Sequence, residues 1–213
     1  MKIELQKVLP ADIEKRSFEI ITEELGQRQI PEELAPIVKR VIHTSADFDY
    51  YDNMKFSEDV VKKIAGAIKN GACIVTDTQM AKAGINKKML GQFGGEVLCF
   101  MADEDVAKIA KENGTTRATA SMDKAASLQR SIIFAVGNAP TALVRIYELF
   151  EEGKLKPEAV IGVPVGFVNV VESKELIMSS NIPHIVAAGR KGGSNVAAAI
   201  CNAILYMIRD GKL

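Results

Sequence analysis

The alternation of short apolar runs with helical segments after residue 70 most constrains the fold of this chain. Five apolar runs, each of four or five residues, are candidate strands: 72–76, 97–101, 132–136, 159–163 and 185–188. The helical segments that follow them cover residues 86–92, 103–113 with 116–129, 141–152, 169–180 and 195–209. Continuous apolar strands separated by helices predict a parallel sheet covered by helices on both faces. The sequence therefore indicates an α/β fold.

The first 70 residues have a different pattern, which predicts three helices. Residues 11–25 carry an apolar face and end at Gly26, and Pro31 opens a second apolar-periodic segment. Ser57 is a candidate N-cap for the third helix, which Gly71 would terminate. No Ser/Gly/Pro-rich linker separates this helical part, about 1–70, from the α/β part, about 71–213. We expect one domain spanning residues 1–213.

Charge and cysteine content exclude several classes of protein. Lys plus Arg number 27 and Asp plus Glu number 27, so the formal net charge is zero, without the basic excess typical of nucleic-acid-binding proteins. No apolar run is long enough for a membrane span and the N-terminus lacks an apolar signal core, so we expect a cytoplasmic protein with no membrane partner. Cys73, Cys99 and Cys201 lie far apart in apolar runs, which predicts buried, reduced thiols rather than metal ligands.

In an open parallel sheet, ligands bind outside the carboxyl ends of the strands. The residues that follow the apolar runs are therefore candidate ligand contacts: Thr76, Asp77, Met80, Gly137, Asn138, Pro164, Gly166, Arg190, Lys191, Gly192 and Ser194. Residues 189–194 combine two cations, three glycines and a helix start, which favours a carboxylate or phosphate site. The alternative is that the glycines only permit tight turns. Neither the P-loop nor the dinucleotide-binding glycine pattern is present.

His43 is the candidate general acid, because it is placed at the end of the second predicted helix and followed by acidic residues. Both features favour the imidazolium form. Alternatively, His43 is a capping or surface histidine. We expect His184, just before the last strand, to have a structural role only. Ser17 can hydrogen bond to its own helix, and Arg40 and Arg117 can be solvated surface charges. No nucleophile triad and no metal site can be assigned from the spacing.

Six segments together resemble one family, in the order that the family has them. They are RSFEII at 16–21, VIHT at 41–44, DTQM at 77–80, GNAPTAL at 137–143, GVPVGFV at 162–168 and GRKGGS at 189–194. The chain resembles the precorrin-8X methylmutase family of cobalamin biosynthesis, which includes the cobalt-precorrin-8 methylmutases, from about residue 10 to the C-terminus. The residues after His43 are more acidic and aromatic than the family pattern, which leaves the shape of the pocket there undetermined.

The resemblance implies a flavodoxin-like three-layer α/β/α sandwich with a five-stranded parallel sheet, and a homodimer with sites near the subunit interface. It implies a cofactor-free isomerase that moves a methyl group from C11 to C12 of precorrin-8, giving hydrogenobyrinate or, with cobalt bound, cobyrinate. The family's catalytic histidine corresponds to His43 as proton donor and acceptor. Its substrate contacts near residues 16–17 and on the helix before the histidine correspond to Ser17 and Arg40.

The residues of the sequence fit the chemistry that the resemblance implies. A corrinoid is flat and apolar at its centre and carries carboxylates at its edge, so it needs an apolar slot with a few placed cations. Arginine can hold a carboxylate through two hydrogen bonds, and one general acid can promote the migration by protonating the ring system. Arg16, Arg40, Arg117, Arg190 and Lys191 are the candidate cations. Two alternatives are a tetrapyrrole carrier without catalytic activity and a nucleotide- or phosphate-binding α/β enzyme that uses residues 189–194.

Overall fold

The computed structural model describes residues 7–213, so the first six residues of the predicted helical part lie outside the described residues. The described chain forms six strands. They are β1 (Met54–Phe56), β2 (Cys73–Thr76), β3 (Val97–Leu98), β4 (Ile132–Val136), β5 (Ala159–Gly162) and β6 (His184–Ala187). Eleven α-helices surround them, preceded by a 3-10 turn at Pro10–Asp12.

Most of the helices lie where the sequence periodicity predicts them. The N-terminal helices are α1 (Ile13–Leu25), α2 (Ala35–Ser45), α3 (Tyr50–Asn53) and α4 (Val60–Lys69). Those between the strands are α5 (Gln79–Gly84), α6 (Lys87–Gly91), α7 (Glu104–Glu112), α8 (Arg117–Ala126), α9 (Pro140–Glu151) and α10 (Val170–Met178). Helix α11 (Ser194–Arg209) is the last helix and packs against α2, α4 and α5.

The sheet is mixed, with strand order β1-β6-β5-β4-β2-β3. The five strands expected from the sequence are parallel to one another, and β1 pairs with β6 in the antiparallel direction. A sheet of five parallel strands was therefore the wrong expectation. Strand β1 has only three residues, two of them apolar, and such a short segment gives no run that could be recognised in the sequence.

Strand residues alternate between two apolar cores, one on each face of the sheet. In β4, Ile133 and Ala135 pack with α2, α4 and α11, whereas Phe134 and Val136 pack with α8, α9 and α10. This alternation gives three layers, with helices on both faces. Residues of the N-terminal helices share the first core with α11.

Three local expectations were wrong. Ser57 does not cap α4, which begins after Asp59; its hydroxyl instead accepts a 2.8 Å hydrogen bond from the His184 backbone N–H. Pro31 lies in the turn before α2 rather than opening it, and Pro36 occupies its first turn. Strand β3 ends at Leu98, three residues earlier than its apolar run. All three cysteines are buried and free, as expected.

Candidate active site

The loops after β2 and β4 meet where the strand order reverses, at the point where open α/β sheets bind ligands. Asp77 follows β2, and its carboxylate accepts hydrogen bonds from the backbone N–H groups of Gly137, Asn138 and Ala139, at 2.8, 2.8 and 2.6 Å. Burial raises the pKa of Asp77, and the three N–H donors oppose that shift. Asp77 therefore fills the start of α9 that an external anion would otherwise use.

The loop after β6 packs tightly against the neighbouring loops. The hydroxyls of Thr78 and Ser194 lie 2.7 Å apart, which joins the start of α5 to the start of α11. A Cβ on Gly137 would lie 2.6 Å from the Ser194 Cα, and one on Gly192 would lie 2.1 Å from the Val163 carbonyl oxygen. The glycines at these two positions are required for close approach of backbones. Gly192 shows that the turn at residues 189–194 requires glycine for packing, whether or not the loop also binds an anion.

Lys191 and Arg190 have different surroundings although they are adjacent. The Lys191 ammonium contacts the Asp47 and Asp49 carboxylates at 2.5 and 2.6 Å, and these bonds hold the pKa of Asp47 below its usual value. The Arg190 guanidinium has no carboxylate partner among residues 7–213 and lies 5.5 Å from the centre of the Phe167 ring. Phe167 is 80% exposed. Of the two cations in this loop, only Arg190 is available to an anionic ligand without loss of an ion pair.

His43 lies in the last turn of α2, with its side chain exposed. Its ring stacks on Phe18 of α1, with centroids 5.4 Å apart and planes inclined by 26°. Neither ring nitrogen hydrogen bonds to another residue in the described part of the chain. A cleft of about 250 Å³ lies beside it, lined by Arg40, His43, Thr44, Gly84, Asn195, Ala198, Ala199 and Asn202. A ligand in this cleft could therefore hydrogen bond to the His43 ring.

Arg40 forms one wall of the cleft and has three neighbours. Its guanidinium lies 5.2 Å from the ring centre of Phe18 and 4.7 Å from that of Tyr206, and it contacts the Glu14 carboxylate at 2.5 Å. These contacts fix the Arg40 side chain next to the pair formed by His43 and Phe18. The arrangement therefore presents a cation and an imidazole side by side, on adjacent turns of α2.

The remaining candidates are distributed between these two places. Thr76 and Asp77 are fully buried. Met80 is 71% exposed, and Asn138 is exposed at the carboxyl end of β4. Pro164 is buried and Gly166, which donates a backbone hydrogen bond to the Arg190 carbonyl oxygen at 3.2 Å, is partly buried.

Three candidates lie on helices. Arg16 contacts Glu19 and Glu23, and the Ser17 hydroxyl donates to the Ile13 carbonyl oxygen at 2.9 Å, which is the local bond expected of a helical serine. Arg117 is exposed at the start of α8 and forms no ion pair within the described residues.

Comparison with known proteins identifies the family. The precorrin-8X methylmutase family matches residues 12–207. The chain belongs to the precorrin-8X methylmutase family. It is thus an isomerase of cobalamin biosynthesis, and its reaction moves a methyl group within one molecule.

Relatives of this methylmutase cover nearly its whole length. It is 47% identical to the cobalt-precorrin-8 methylmutase of Priestia megaterium over 204 residues, which are 96% of this chain and 91% of the relative. It is 44% identical to the cobalt-precorrin-8 methylmutase of Salmonella typhimurium, with 94% and 97% covered. The crystal structure of precorrin-8X methylmutase from Thermus thermophilus superimposes with a TM-score of 0.86 at 38% identity, covering 95% of this chain and all of that one.

Two residues of this methylmutase were missed in the sequence. Phe18 lies within the RSFEII segment, and nothing in the sequence signals that it stacks on His43, 25 positions away. Lys174 is fully buried on α10, with its ammonium 2.7 and 2.8 Å from the carbonyl oxygens of Gly189 and Lys191. The burial of Lys174 could have been predicted from the sequence, because Lys174 has the spacing of one helical face with Val170 and Ile177, which are apolar and buried.

Proposed function

We propose that this chain converts precorrin-8, in its cobalt-bound form, into cobyrinate by moving the C11 methyl group to C12, with His43 as general acid and base. The observation that carries the proposal is the environment of His43. The ring is oriented by Phe18, it lines a cleft next to Arg40, and its nitrogens have no partner among residues 7–213. The cobalt-bound substrate is proposed because the relatives that are 47% and 44% identical carry that name.

The reaction needs one proton donor and no second substrate. The bond between C11 and the methyl carbon breaks and a bond between C12 and the same carbon forms, so there is no net oxidation or reduction. Protonation of the conjugated ring system by His43 would draw electrons away from C11 and lower the barrier. Return of the proton to His43 then restores the enzyme. General acid catalysis of this kind typically contributes about 10²–10⁴-fold, and the rest would come from holding the ring in a reactive conformation.

The cations divide into free and paired groups, and this division refines their proposed roles. Arg190 and Arg117 form no ion pair within the described chain, so each can receive a substrate carboxylate directly. Arg40 would turn from Glu14 toward a carboxylate in the cleft, and Arg16 would have to leave two glutamates. Lys191 is held by two aspartates and fixes its loop to the segment after His43. We therefore assign substrate contact to Arg190 because it is unpaired, and to Arg40 because it lines the cleft beside His43.

The other predicted contacts fall into two proposed roles. Ser17 lies next to Phe18, and Met80 and Asn138 are the rim residues with the side-chain exposure that contact requires. Thr76, Asp77, Gly137, Pro164, Gly166, Gly192 and Ser194 shape the rim. The burial of Thr76 and Asp77 favours this positioning role over contact with the substrate.

The proposal includes a homodimer, and two features support it. The cleft of about 250 Å³ is smaller than the pockets of about 300–1,000 Å³ that bind drug-sized ligands. A corrinoid would therefore extend beyond it, and a second copy could cover the exposed part. Val165, Phe167 and Val168 also form an exposed apolar surface in the loop after β5, which is typical of an interaction site.

We place the enzyme in the cytoplasm; no helix among the described residues has the length and apolar character to cross a membrane.

The test is turnover by wild-type protein and two variants, His43→Ala and His43→Asn, with cobalt-precorrin-8 and its metal-free form in parallel. We expect the visible spectrum to change to that of the product with wild-type protein, and a fall in rate of about 10²–10⁴-fold in both variants. Both variants should keep their circular dichroism spectrum and their affinity for product. Full activity of a folded His43→Ala protein would exclude the proposed acid.

Single-turnover conversion and thermal unfolding separate the two alternatives. A carrier would bind substrate and product but give no single-turnover conversion with wild-type protein. A nucleotide- or phosphate-binding enzyme would be stabilised against thermal unfolding by ATP or phosphate. We expect no such stabilisation, because neither nucleotide-binding glycine pattern is present and the Gly193 N–H before α11 already donates to the Val163 carbonyl oxygen at 2.8 Å.

A further inference from the structure

Lys174 is fully buried, and its ammonium has no carboxylate partner among residues 7–213. A buried charge of this kind is unusual and calls for a structural or functional explanation. Burying an ammonium costs free energy unless its donors are satisfied. Burial lowers the pKa of Lys174 to about 8. An apolar side chain would fill the inner face of α10 without this cost, so packing alone does not account for a lysine here.

The two acceptors of the Lys174 ammonium flank Arg190. They are the carbonyl oxygens of Gly189 and Lys191, at 2.7 and 2.8 Å. The carbonyl oxygen of Arg190 itself accepts from the Gly166 N–H at 3.2 Å. All three consecutive carbonyl groups of this loop are therefore held from within the protein. Gly189 has a φ of +78°, a backbone conformation that few residues other than glycine adopt and that these bonds help to maintain.

The backbone carbonyl groups of the loop are all hydrogen bonded, but its two cationic side chains differ in their contacts. Lys191 is bound to Asp47 and Asp49, whereas Arg190 extends beside the exposed Phe167 ring without a carboxylate partner in the described structure. We propose that Lys174 is a positioning residue, which fixes the backbone on both sides of Arg190 so that its guanidinium is presented to a carboxylate of the corrinoid. This inference rests on the proposed function, since it concerns how that substrate is bound.

The test is a double-mutant cycle with Lys174→Met and Arg190→Ala, measured as kcat and KM for conversion of cobalt-precorrin-8. Arg190→Ala removes a charge-assisted hydrogen bond, so KM should rise about 10- to 100-fold. Lys174→Met should raise KM about 3- to 10-fold, with kcat changed less than twofold. In the Arg190→Ala background, the same Lys174 substitution should leave KM unchanged, because there is no longer a guanidinium to position.

Two further variants complete the design. Lys174→Arg keeps donors and charge and should recover part of the lost affinity, whereas the exposed lysine variant Lys108→Met should match wild-type protein. If Lys174→Met does not fold, Lys174→Gln takes its place in the cycle, since its side chain ends one atom earlier than lysine and cannot span both carbonyls.

The outcomes are distinguishable. Equal rises in KM in the wild-type and Arg190→Ala backgrounds, or an unchanged KM in a folded Lys174→Met protein, would overturn the assignment while leaving the methyl shift intact. Absence of conversion by wild-type protein would instead refute the proposed function itself. In that event the same cycle is run on the dissociation constant for cobyrinate, with the same two expectations.

Discussion

The carboxylate of Asp77 accepts a 2.8 Å hydrogen bond from the backbone N–H of Gly137, across the gap where the strand order reverses. In many α/β proteins the N–H groups at this place bind an anionic ligand. Here the anion is supplied by the chain itself, and two further N–H groups share it. The loop after β4 is therefore fixed before any substrate arrives.

Replacing Asp77 by asparagine should destabilise the protein. Both carboxylate oxygens accept from N–H donors, so the amide nitrogen of asparagine would face at least one donor. We expect the free energy of unfolding to fall by about 1–3 kcal/mol, measured by urea denaturation. The exposed variant Asp52→Asn is the control and should change it by less than about 0.5 kcal/mol. Equal stability of the two variants would contradict the role assigned to Asp77.

Gly137 should not tolerate a side chain. A Cβ there would lie 2.6 Å from the Cα and 2.8 Å from the backbone nitrogen of Ser194, and neither can move without shifting α11. Gly137→Ala should therefore lower the free energy of unfolding by about 1–3 kcal/mol and reduce turnover.

The matched control is Gly91→Ala. Gly91 lies in α6 with no atom within 4 Å of the added Cβ, so alanine should stabilise the protein by up to about 1 kcal/mol. The prediction fails if the two substitutions have the same sign.

Most strands and helices of the α/β part were predictable because each is a run of apolar residues or an apolar periodicity, whereas the six-residue helix α5 was not predicted. Strand β1 was not, since three residues at an antiparallel edge depend on pairing with β6 rather than on their own pattern. Ser57 resembles an N-cap in the sequence, but its hydroxyl binds the backbone of His184, a contact between residues 127 positions apart. Such long-range contacts leave no local signal.

Candidate site residues could be named from the sequence, but their contacts with one another could be predicted only in part. Strand ends and the family resemblance together pointed to His43 and to the loop of residues 189–194. Whether a cation is free depends on which carboxylates the fold brings to it, and the pairing of Lys191 with Asp47 could not be read from positions 144 residues apart. For the same reason, the stacking of Phe18 on His43 required the packing of α1 against α2.

Phe18 should orient the His43 ring, and its removal should reduce catalysis. An aromatic pair contributes about 0.5–1.5 kcal/mol beyond simple burial. If that orientation is used in proton transfer, Phe18→Leu should lower kcat about 2- to 10-fold, whereas Phe18→Tyr keeps the ring and should retain most activity. Steady-state kinetics with cobalt-precorrin-8 provide the measurement. A kcat equal to wild type in the leucine variant would show that the stacking is not used.

Lys191 should affect stability more than substrate affinity. Its ion pairs with Asp47 and Asp49 are partly exposed and screened by solvent, so Lys191→Met should lower the free energy of unfolding only slightly. Because its ammonium is already paired, affinity for cobyrinate should change less than in Arg190→Ala. Titration of product by visible spectroscopy compares the two variants. A larger loss in Lys191→Met would mean that this lysine exchanges its aspartates for a substrate carboxylate.

The buried ammonium of Lys174 should make stability depend on alkaline pH. Burial lowers the pKa of Lys174 to about 8, whereas an unfolded lysine has a pKa of about 10.4. Between these values the unfolded chain binds more protons, so this residue makes the free energy of unfolding rise with pH. Since one pKa unit corresponds to about 1.4 kcal/mol, the rise is at most about 3 kcal/mol.

The effect of Lys174 can be isolated from other titrating groups by comparing wild-type protein with Lys174→Met. Urea denaturation at pH 7.5 and pH 10 gives the difference in unfolding free energy between the two proteins at each pH. That difference should move in favour of wild-type protein as the pH rises, because only wild type loses the cost of burying a charge. A difference that is the same at both values would mean that Lys174 keeps an ordinary pKa in the folded state, with its charge compensated by groups beyond the two carbonyl oxygens.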